Sequence, residues 1–236
     1  MQVIFSKDPC DLHCSQPNSL RFLSYISALS EHPSPYEFIK QKKRRLGMPH
    51  IAKACTIQGW MTRRELIWLG LQAQRRQCIV EVGSFIGRST RVLGDNIKAG
   101  GKVYAIDDFF GPRKGGDRRP DGSVFTSRFR LTVFQQFKRN LGDLIEADTI
   151  FPIKCSYSGA KYLTHIRNIM PDFVFLDGSH EYTDVLRDIV LWRGRLVAGA
   201  ILSGHDYDDA EVRRAIRDAG VKPRCPEKTN IWYCYG

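Results

Sequence analysis

The sequence predicts an α/β fold in which a mostly parallel sheet carries helices on both faces. Short runs rich in β-branched and aromatic residues alternate with helix-compatible stretches from about residue 60 onward. The 236 residues suffice for one large α/β domain, alone or with an appendage, and are too few for two catalytic domains. Hydrophobic residues at 42% and charged residues at 26% are typical of a folded globular protein, which excludes a disordered chain or a coiled-coil rod.

Residues 1–58 are predicted to form a basic N-terminal extension or cap. Five prolines interrupt this segment around one plausible helix over 19–30, and the basic run Lys40-Gln41-Lys42-Lys43-Arg44-Arg45 follows. The first 76 residues hold 12 basic and 5 acidic side chains, so most of the net charge of +11 lies in the N-terminal third. This excess indicates an anionic substrate or partner, or else a solvated basic tail.

The regular domain is predicted to span residues 59–236. Thr62 and Glu65 have the spacing of a capping box and precede an apolar run over 66–69, which predicts the first helix. Strands are predicted over 78–82, 102–106, 149–153, 172–176, 199–202 and 229–234. Helices are predicted between them over 89–98, 127–141, 159–169, 183–197 and 211–219. Ligands bind such sheets beyond the carboxyl ends of the strands, so the residues that follow each strand are the site candidates.

A loop with two glycines follows the first predicted strand. Gly83 and Gly87 precede a helix whose first N–H groups have no partner within the helix, so the loop suits a nucleotide-like ligand. The loop reads G-x-x-x-G and not G-x-G-x-x-G, and Glu81 just before it would repel a pyrophosphate and attract a cation. Asp107 ends the second strand, where a carboxylate can accept both hydroxyls of a ribose. The alternative is that the glycines only make a tight turn and that Asp107 only caps a helix.

These segments resemble the class I S-adenosylmethionine-dependent methyltransferases, and within them methyltransferase family 24, which includes macrocin-type sugar O-methyltransferases. The resemblance covers about residues 59–236. It depends on Gly59-Trp60-Met61-Thr62, residues 81–89, Ala105-Ile106-Asp107, residues 173–180, Asp188 with Trp192, residues 199–207 and Ile231-Trp232-Tyr233. It implies a Rossmann-like, doubly wound sheet of seven strands, mostly parallel, with a terminal antiparallel strand.

The resemblance also implies S-adenosylmethionine as the cofactor. Gly83, Ser84 and Gly87 would contact its methionine part and sulfonium side, and Glu81 would supply negative charge nearby. Asp107 would bind the ribose hydroxyls. The remaining residues expected in the cofactor site are Ser89, Asp108 and, near the adenine, Ser156.

Acids and imidazoles follow the fourth and fifth predicted strands. Asp177 and His180 follow the fourth strand, and His205 and Asp206 follow the fifth, so these side chains are expected to converge at one edge of the sheet. Methyl transfer to an alcohol needs a base or a divalent cation. His180 is the predicted base, with Asp177 orienting the acceptor.

Magnesium is the second reading of this cluster, with Asp177, Asp206 and His205 as its candidate ligands. Relatives in the sugar-modifying branch have an acidic pair where this chain reads His205-Asp206, so the resemblance leaves metal dependence open. A third reading makes the acids turn caps and His180 a structural histidine.

The predicted function is O-methylation of a hydroxyl on a small-molecule or sugar-like acceptor, and the positive charge of the chain allows this acceptor to be anionic. The glycine-rich stretch 107–129 is expected to act as a functional loop or lid. An RNA methyltransferase that uses the basic extension is the main alternative, although no aromatic-interleaved basic stripe or RNA-binding signature is present. A non-catalytic S-adenosylmethionine-binding protein is another alternative. A nicotinamide dehydrogenase is disfavoured by the G-x-x-x-G loop.

The chain is expected to be cytoplasmic and to have no membrane association. Its seven cysteines are odd in number and scattered, which is typical of reduced thiols. No apolar run approaches the roughly 20 residues that span a bilayer, and the first residues lack the order of a signal peptide.

Overall fold

The computed structural model describes residues 47–111, 131–156 and 160–236. The helix predicted over 19–30, the basic run 40–45 and most of the predicted lid lie outside the described residues. The fold and the candidate site are therefore built from the three described ranges.

Helices and strands alternate along the described chain, as the sequence predicts. The helices are α1 (Ala52–Thr56), α2 (Arg63–Ala73), α3 (Arg88–Asn96), α4 (Val133–Glu146), α5 (Ala160–Ile166), α6 (Tyr182–Arg193) and α7 (Ala210–Asp218). The strands are β1 (Cys78–Val82), β2 (Lys102–Asp107), β3 (Ile150–Lys154), β4 (Phe173–Leu176), β5 (Ile201–Gly204) and β6 (Trp232–Tyr235). None of the helices in the described ranges has the length and hydropathy that crossing a bilayer requires.

The strands form one sheet in the order β3-β2-β1-β4-β5-β6. All neighbours pair in parallel except β5 and β6, which are antiparallel. The predicted α/β class and the terminal antiparallel strand are confirmed. The strand order reverses between β1 and β4, and a sheet of this kind binds ligands at such a reversal.

The prediction of seven strands is wrong, because six form in the described residues. The segment before β6 makes only an isolated antiparallel bridge, in which Arg224 and Tyr233 exchange backbone hydrogen bonds of 2.8 and 2.9 Å. Pro223 and Pro226 flank this bridge. Pro226 lies two residues after Arg224, at the next position whose N–H would face β6, and proline has no N–H to donate, so the bridge does not extend into a ladder on that side.

Side-chain caps set the first residues of helices α2 and α4. The capping box predicted for Thr62 and Glu65 is present at α2. Helix α4 was predicted to begin at residue 127, but it begins six residues later, at Val133. The reason is a second capping box, which Thr132 and Gln135 form. The hydroxyl of Thr132 accepts from the Gln135 N–H, and the Gln135 amide oxygen accepts from the Thr132 N–H. These reciprocal bonds satisfy two N–H groups that the helix itself cannot pair.

A hydrophobic layer packs on each face of the sheet within the compact unit Leu46–Gly236. Alternate strand residues supply the two layers, as Ile79 and Val80 do on β1. Helices α1 to α4 cover one face through Ala54, Leu66, Leu69, Leu93, Phe137 and Leu141. Helices α5 to α7 cover the other through Tyr162, Ile166, Ile189, Trp192, Val212 and Ile216. Trp192 and Trp232 are buried in this second layer.

The described part of the predicted extension, residues 47–58, also packs on the sheet domain. Ile51, Ala54 and Ile57 are buried in the first hydrophobic layer. The Asn96 side chain bonds to both the N–H and the carbonyl of His50, at 2.8 Å each. These contacts hold α1 against α3, so the segment is part of the folded core.

Candidate active site

Strand register places three chain turns side by side at the carboxyl edge of the sheet. Val82 pairs with Leu176, and Leu176 pairs with Gly204. The next residues, Gly83, Asp177 and His205, are therefore neighbours across three adjacent strands. The Asp177 N–H donates to the Val82 carbonyl at 2.7 Å, and the His205 N–H donates to the Leu176 carbonyl at 3.0 Å.

Both glycines of the loop over residues 83–87, here called the glycine loop, are needed for contacts within the chain itself. Gly83 has φ +93°, and a Cβ at this position would lie 2.1 Å from the Asp177 carbonyl oxygen. Gly87 has φ +91°, and its Cβ would lie 2.6 Å from Cδ1 of Leu141. Glycine accommodates both the left-handed backbone and the close approach. Gly83 thereby brings the glycine loop against the backbone of Asp177.

Two polar atoms beside the glycine loop are buried without a hydrogen-bond partner. Glu81 is fully buried, and its Oε2 accepts from the Thr90 hydroxyl. Its Oε1 and the Oγ of buried Ser84 make no hydrogen bond of good geometry among the described residues. Burial raises the pKa of Glu81, against the effect of nearby hydroxyls that include Ser89. Unpaired buried polar atoms cost free energy, so their presence indicates a ligand that would pair with them.

Asp107 connects the glycine loop to the end of β2. Its carboxylate accepts from the N–H of Phe85 at 2.8 Å and from the N–H of Phe109 at 2.5 Å. Burial raises the pKa of Asp107, against the lowering effect of these two backbone bonds. A carboxylate offers about four lone-pair positions, so Asp107 keeps capacity for further donors such as ribose hydroxyls. Asp108 is buried and accepts from the N–H of Phe110 at 2.9 Å.

Ser156 follows β3 at the same edge of the sheet and is exposed. The preceding N–H, that of Cys155, donates to the Asp107 carbonyl at 3.0 Å. This bond continues the pairing of β3 with β2 one residue beyond β3, so Ser156 lies on the β2 side of the glycine loop.

The acids and imidazoles predicted to converge do so. Nε2 of His180 lies 2.7 Å from Oδ2 of Asp206, and Nδ1 of His205 lies 3.1 Å from Oδ1 of the same carboxylate. Nδ1 of His205 is also 3.7 Å from Oδ1 of Asp177. The ion-pair partner of His180 is therefore Asp206, on the turn after the neighbouring strand. Asp206 has a left-handed backbone, with φ +55°, a conformation that aspartate adopts more readily than most residues.

Glu65 completes this arrangement, and the sequence indicated only its capping role. Its Oε2 accepts from the N–H and the hydroxyl of Thr62 at 2.7 and 2.8 Å. Its Oε1 lies 3.2 Å from Nε2 of His205 and accepts from the N–H of Asn230 at 2.8 Å. We call Glu65, Asp177, His180, His205 and Asp206 the acid–histidine cluster.

Burial and hydrogen bonding shift the pKa values within the cluster in different directions. Burial lowers the pKa of His205, but its bonds to Asp206 and Glu65 outweigh this and raise it to about 11. Burial raises the pKa of Glu65, but the His205 bond and two backbone bonds bring it to about 2. His205 is therefore an imidazolium that faces ionised carboxylates.

Burial is the main cause that raises the pKa of Asp177, to about 7, and the charges of Asp206 and Glu81 add to it. The hydrogen bond to Asp206 raises the pKa of His180. Burial also raises the pKa of Asp206, but bonds from His180 and His205 outweigh it and hold it well below its usual value. The cluster thus combines a permanently ionised Asp206 with two groups, Asp177 and His180, that can exchange protons.

A family model described as a methyltransferase domain, Methyltransf_24, matches residues 80–207. This range is more than half of the chain and contains the glycine loop and every member of the acid–histidine cluster except Glu65. The chain belongs to this methyltransferase family. The resemblance stated from the sequence is confirmed, and the protein is a methyl-transferring enzyme.

Solved methyltransferase structures share the fold. Apo CalS11, described as a TDP-rhamnose 3′-O-methyltransferase of calicheamicin biosynthesis, is 14% identical with a TM-score of 0.53, over 95% of this chain and 96% of CalS11. An O-methyltransferase from Bacillus cereus, in complex with SAH, is 15% identical with a TM-score of 0.51, over 90% and 96% of the two chains. At these identities the likeness establishes the fold. No curated protein matches the sequence significantly.

Proposed function

We propose that this methyltransferase transfers the methyl group of S-adenosylmethionine to a hydroxyl of a small-molecule or sugar-like acceptor, with His180 as the general base. The pair of His180 and Asp206 carries this proposal, because an imidazole oriented by a carboxylate at a ligand edge is suited to remove a proton. Gly83 lies against the backbone of Asp177, so the base stands close to the proposed cofactor loop.

The residues around the glycine loop fit S-adenosylmethionine. The unpartnered atoms of Glu81 and Ser84 offer acceptors to its cationic methionine part. Helix α3 begins after Gly87, which has no side chain to cap it, so the first N–H groups of the helix stay available. We assign the methionine part to Gly83, Ser84, Gly87, Glu81 and Ser89, the ribose to Asp107 with Asp108, and the adenine side to Ser156. When bound, the cofactor supplies an electrophilic methyl group.

His180 has the geometry of a base. Its Nε2 lies 2.7 Å from Asp206 and donates to this carboxylate, so Nδ1 carries the lone pair that takes the proton of the acceptor hydroxyl. The side chain of His180 is 55% exposed, which leaves it accessible to an acceptor. The ionised Asp206 stabilises the imidazolium formed when the proton moves.

Asp177 is the proposed orienting group. It lies between the glycine loop and His205, and with a pKa of about 7 it can accept or donate a hydrogen bond to the acceptor hydroxyl. Holding the hydroxyl oxygen in line with the methyl group lowers the barrier mainly through positioning.

The acceptor we favour is an anionic sugar derivative such as a nucleotide sugar. The net charge of +11 favours an anionic ligand. A structural neighbour described as a TDP-rhamnose methyltransferase supports the same class of acceptor.

Calorimetry followed by an acceptor screen tests the proposed function. S-adenosylmethionine and SAH are expected to bind, and NAD is not. Transfer of a labelled methyl group would then be measured on nucleotide sugars, free sugars, phenols and RNA. Binding of NAD without SAH would contradict the cofactor, labelling of RNA alone would contradict the acceptor, and SAH binding without any transfer would indicate a binding protein.

Replacing Asp107 with asparagine is expected to weaken SAH binding by about 10- to 100-fold, the equivalent of one hydrogen bond to a charged group. The amide loses one acceptor for the ribose and places a donor near the N–H of Phe85 or Phe109. Calorimetric titration with SAH measures the effect, and exposed Asp148→Asn is the matched control. Equal affinities in the two variants would remove Asp107 from the cofactor site.

A further inference from the structure

The acid–histidine cluster includes the three candidate ligands for which the sequence left a divalent cation open. Single ligand atoms of Asp177, His205 and Asp206 lie within 4.8 Å of one another. This spacing agrees with the three ligands predicted from the sequence. Whether the set fits a metal depends on the lone pairs that these side chains have left to give.

Both ring nitrogens of His205 face carboxylates. Its Nε2 lies 3.2 Å from Glu65, and its Nδ1 lies 3.1 Å from Asp206, so each ring nitrogen faces a carboxylate. An imidazole with a carboxylate acceptor at both nitrogens carries a proton on both, whereas a metal ligand needs one nitrogen bare. The ring therefore does not fit a metal, and magnesium prefers oxygen ligands in any case.

Glu65 fixes the orientation of the His205 ring. Its Oε1 is also bonded to the N–H of Asn230, and its Oε2 is bonded to Thr62 at the start of α2. Only 3% of the Glu65 side chain is exposed. A carboxylate bonded at both oxygens and buried cannot swing away, so it holds Nε2 of His205 in place and keeps it protonated.

His205 places a positive charge among the carboxylates of the site. Glu65, Asp177 and Asp206 supply negative charge, and the ring of His205 lies between them as a cation. A divalent ion placed on Asp177 and Asp206 would stand next to this imidazolium and be repelled by it.

We propose that His205, held between Glu65 and Asp206, takes the place of a divalent cation, so that the site holds its acceptor hydroxyl without a metal. The imidazolium keeps Asp206 ionised and oriented for His180, and it provides positive charge beside Asp177, where the acceptor oxygen gains negative charge as it loses its proton. This inference rests on the proposed function for the place of the acceptor, and its test needs no acceptor.

The test is metal binding by the whole protein, measured with Mn²⁺ by electron paramagnetic resonance and with Mg²⁺ by calorimetry, each with SAH present. The unmodified protein is expected to bind neither ion at the cluster. His205→Asp restores the acidic pair of the relatives and is expected to raise the affinity for Mn²⁺ by about tenfold or more, since it replaces a repelling cation by a ligand. Exposed His165→Asp adds the same acid on α5 and is expected to change nothing.

Binding of Mn²⁺ by the unmodified protein that is lost in both Asp177→Asn and Asp206→Asn would overturn the proposal. If His205→Asp does not fold, ¹⁵N resonances of the His205 ring, assigned by comparison with His205→Gln, decide the question. Both ring nitrogens are expected to carry protons at neutral pH, and one bare nitrogen would overturn the proposal. Failure of the proposed function would appear separately, as absence of methyl transfer in the acceptor screen.

Discussion

Replacing His180 with alanine is expected to lower kcat for methyl transfer by about 100- to 10,000-fold, the usual contribution of a general base. An alcohol is a weak nucleophile at neutral pH, and alanine cannot take its proton. The affinity for SAH is expected to stay unchanged, because His180 contacts Asp206 and lies outside the glycine loop. Initial rates with the acceptor found in the screen, together with SAH calorimetry, measure the two effects separately.

Two further variants make this test specific. His165→Ala removes an exposed histidine from α5 and is expected to keep full activity. Asp206→Asn removes the bond that raises the pKa of His180, and a base acts only above its pKa. Activity falls as the pH drops through that pKa, so the acidic limb of the pH profile should move to lower pH in Asp206→Asn. Full activity of His180→Ala would remove His180 from the mechanism.

Replacing Gly83 with alanine is expected to destabilise the protein by about 2–5 kcal/mol, a large part of the 5–15 kcal/mol typical of a domain. A left-handed backbone costs a residue with a Cβ about 1–2 kcal/mol, and crowding in a packed region adds about 1–3 kcal/mol. The new Cβ would lie 2.1 Å from the Asp177 carbonyl oxygen, so the glycine loop and the turn after β4 would have to separate. Denaturant unfolding followed by tryptophan fluorescence measures the loss.

Gly100 offers a matched control for the conformational part of this cost. It has φ +76°, and nothing lies within 4 Å of a Cβ built there. Gly100→Ala is expected to lose only the about 1–2 kcal/mol of the left-handed backbone. The difference between the two variants isolates the close approach of Gly83 to Asp177. Equal losses would mean that this approach does not constrain the site.

The candidate site could be located from sequence because it follows the ends of strands. Asp177 directly follows a buried apolar run, His205 stands close behind another, and parallel strands bring their carboxyl ends to one edge of a sheet. The structure finds these residues on adjacent strands, as that reasoning predicts. The pairing of these side chains could not be predicted in the same way. His180 pairs with Asp206, which lies on the turn after the neighbouring strand.

The prediction of seven strands came from the family resemblance, whereas the structure has six in the described residues. Pro226 stands two residues after the single bridge at Arg224, and it removes the next donor of a ladder on that side. This proline is visible in the sequence, but the pairing that it interrupts is not, because it joins residues on separate segments.

The sequence by itself determined the order of strands and helices, the family, the glycine loop and the identity of the residues at the strand ends, because these depend on local pattern. Only the tertiary structure showed that Glu65 also contacts His205. Its spacing from Thr62 predicts a helix cap, whereas its second oxygen meets His205, 140 residues away along the chain. With the bond to Asp206, that contact raises the pKa of His205. No local pattern contains it, since it exists only once α2 packs against the carboxyl edge of the sheet.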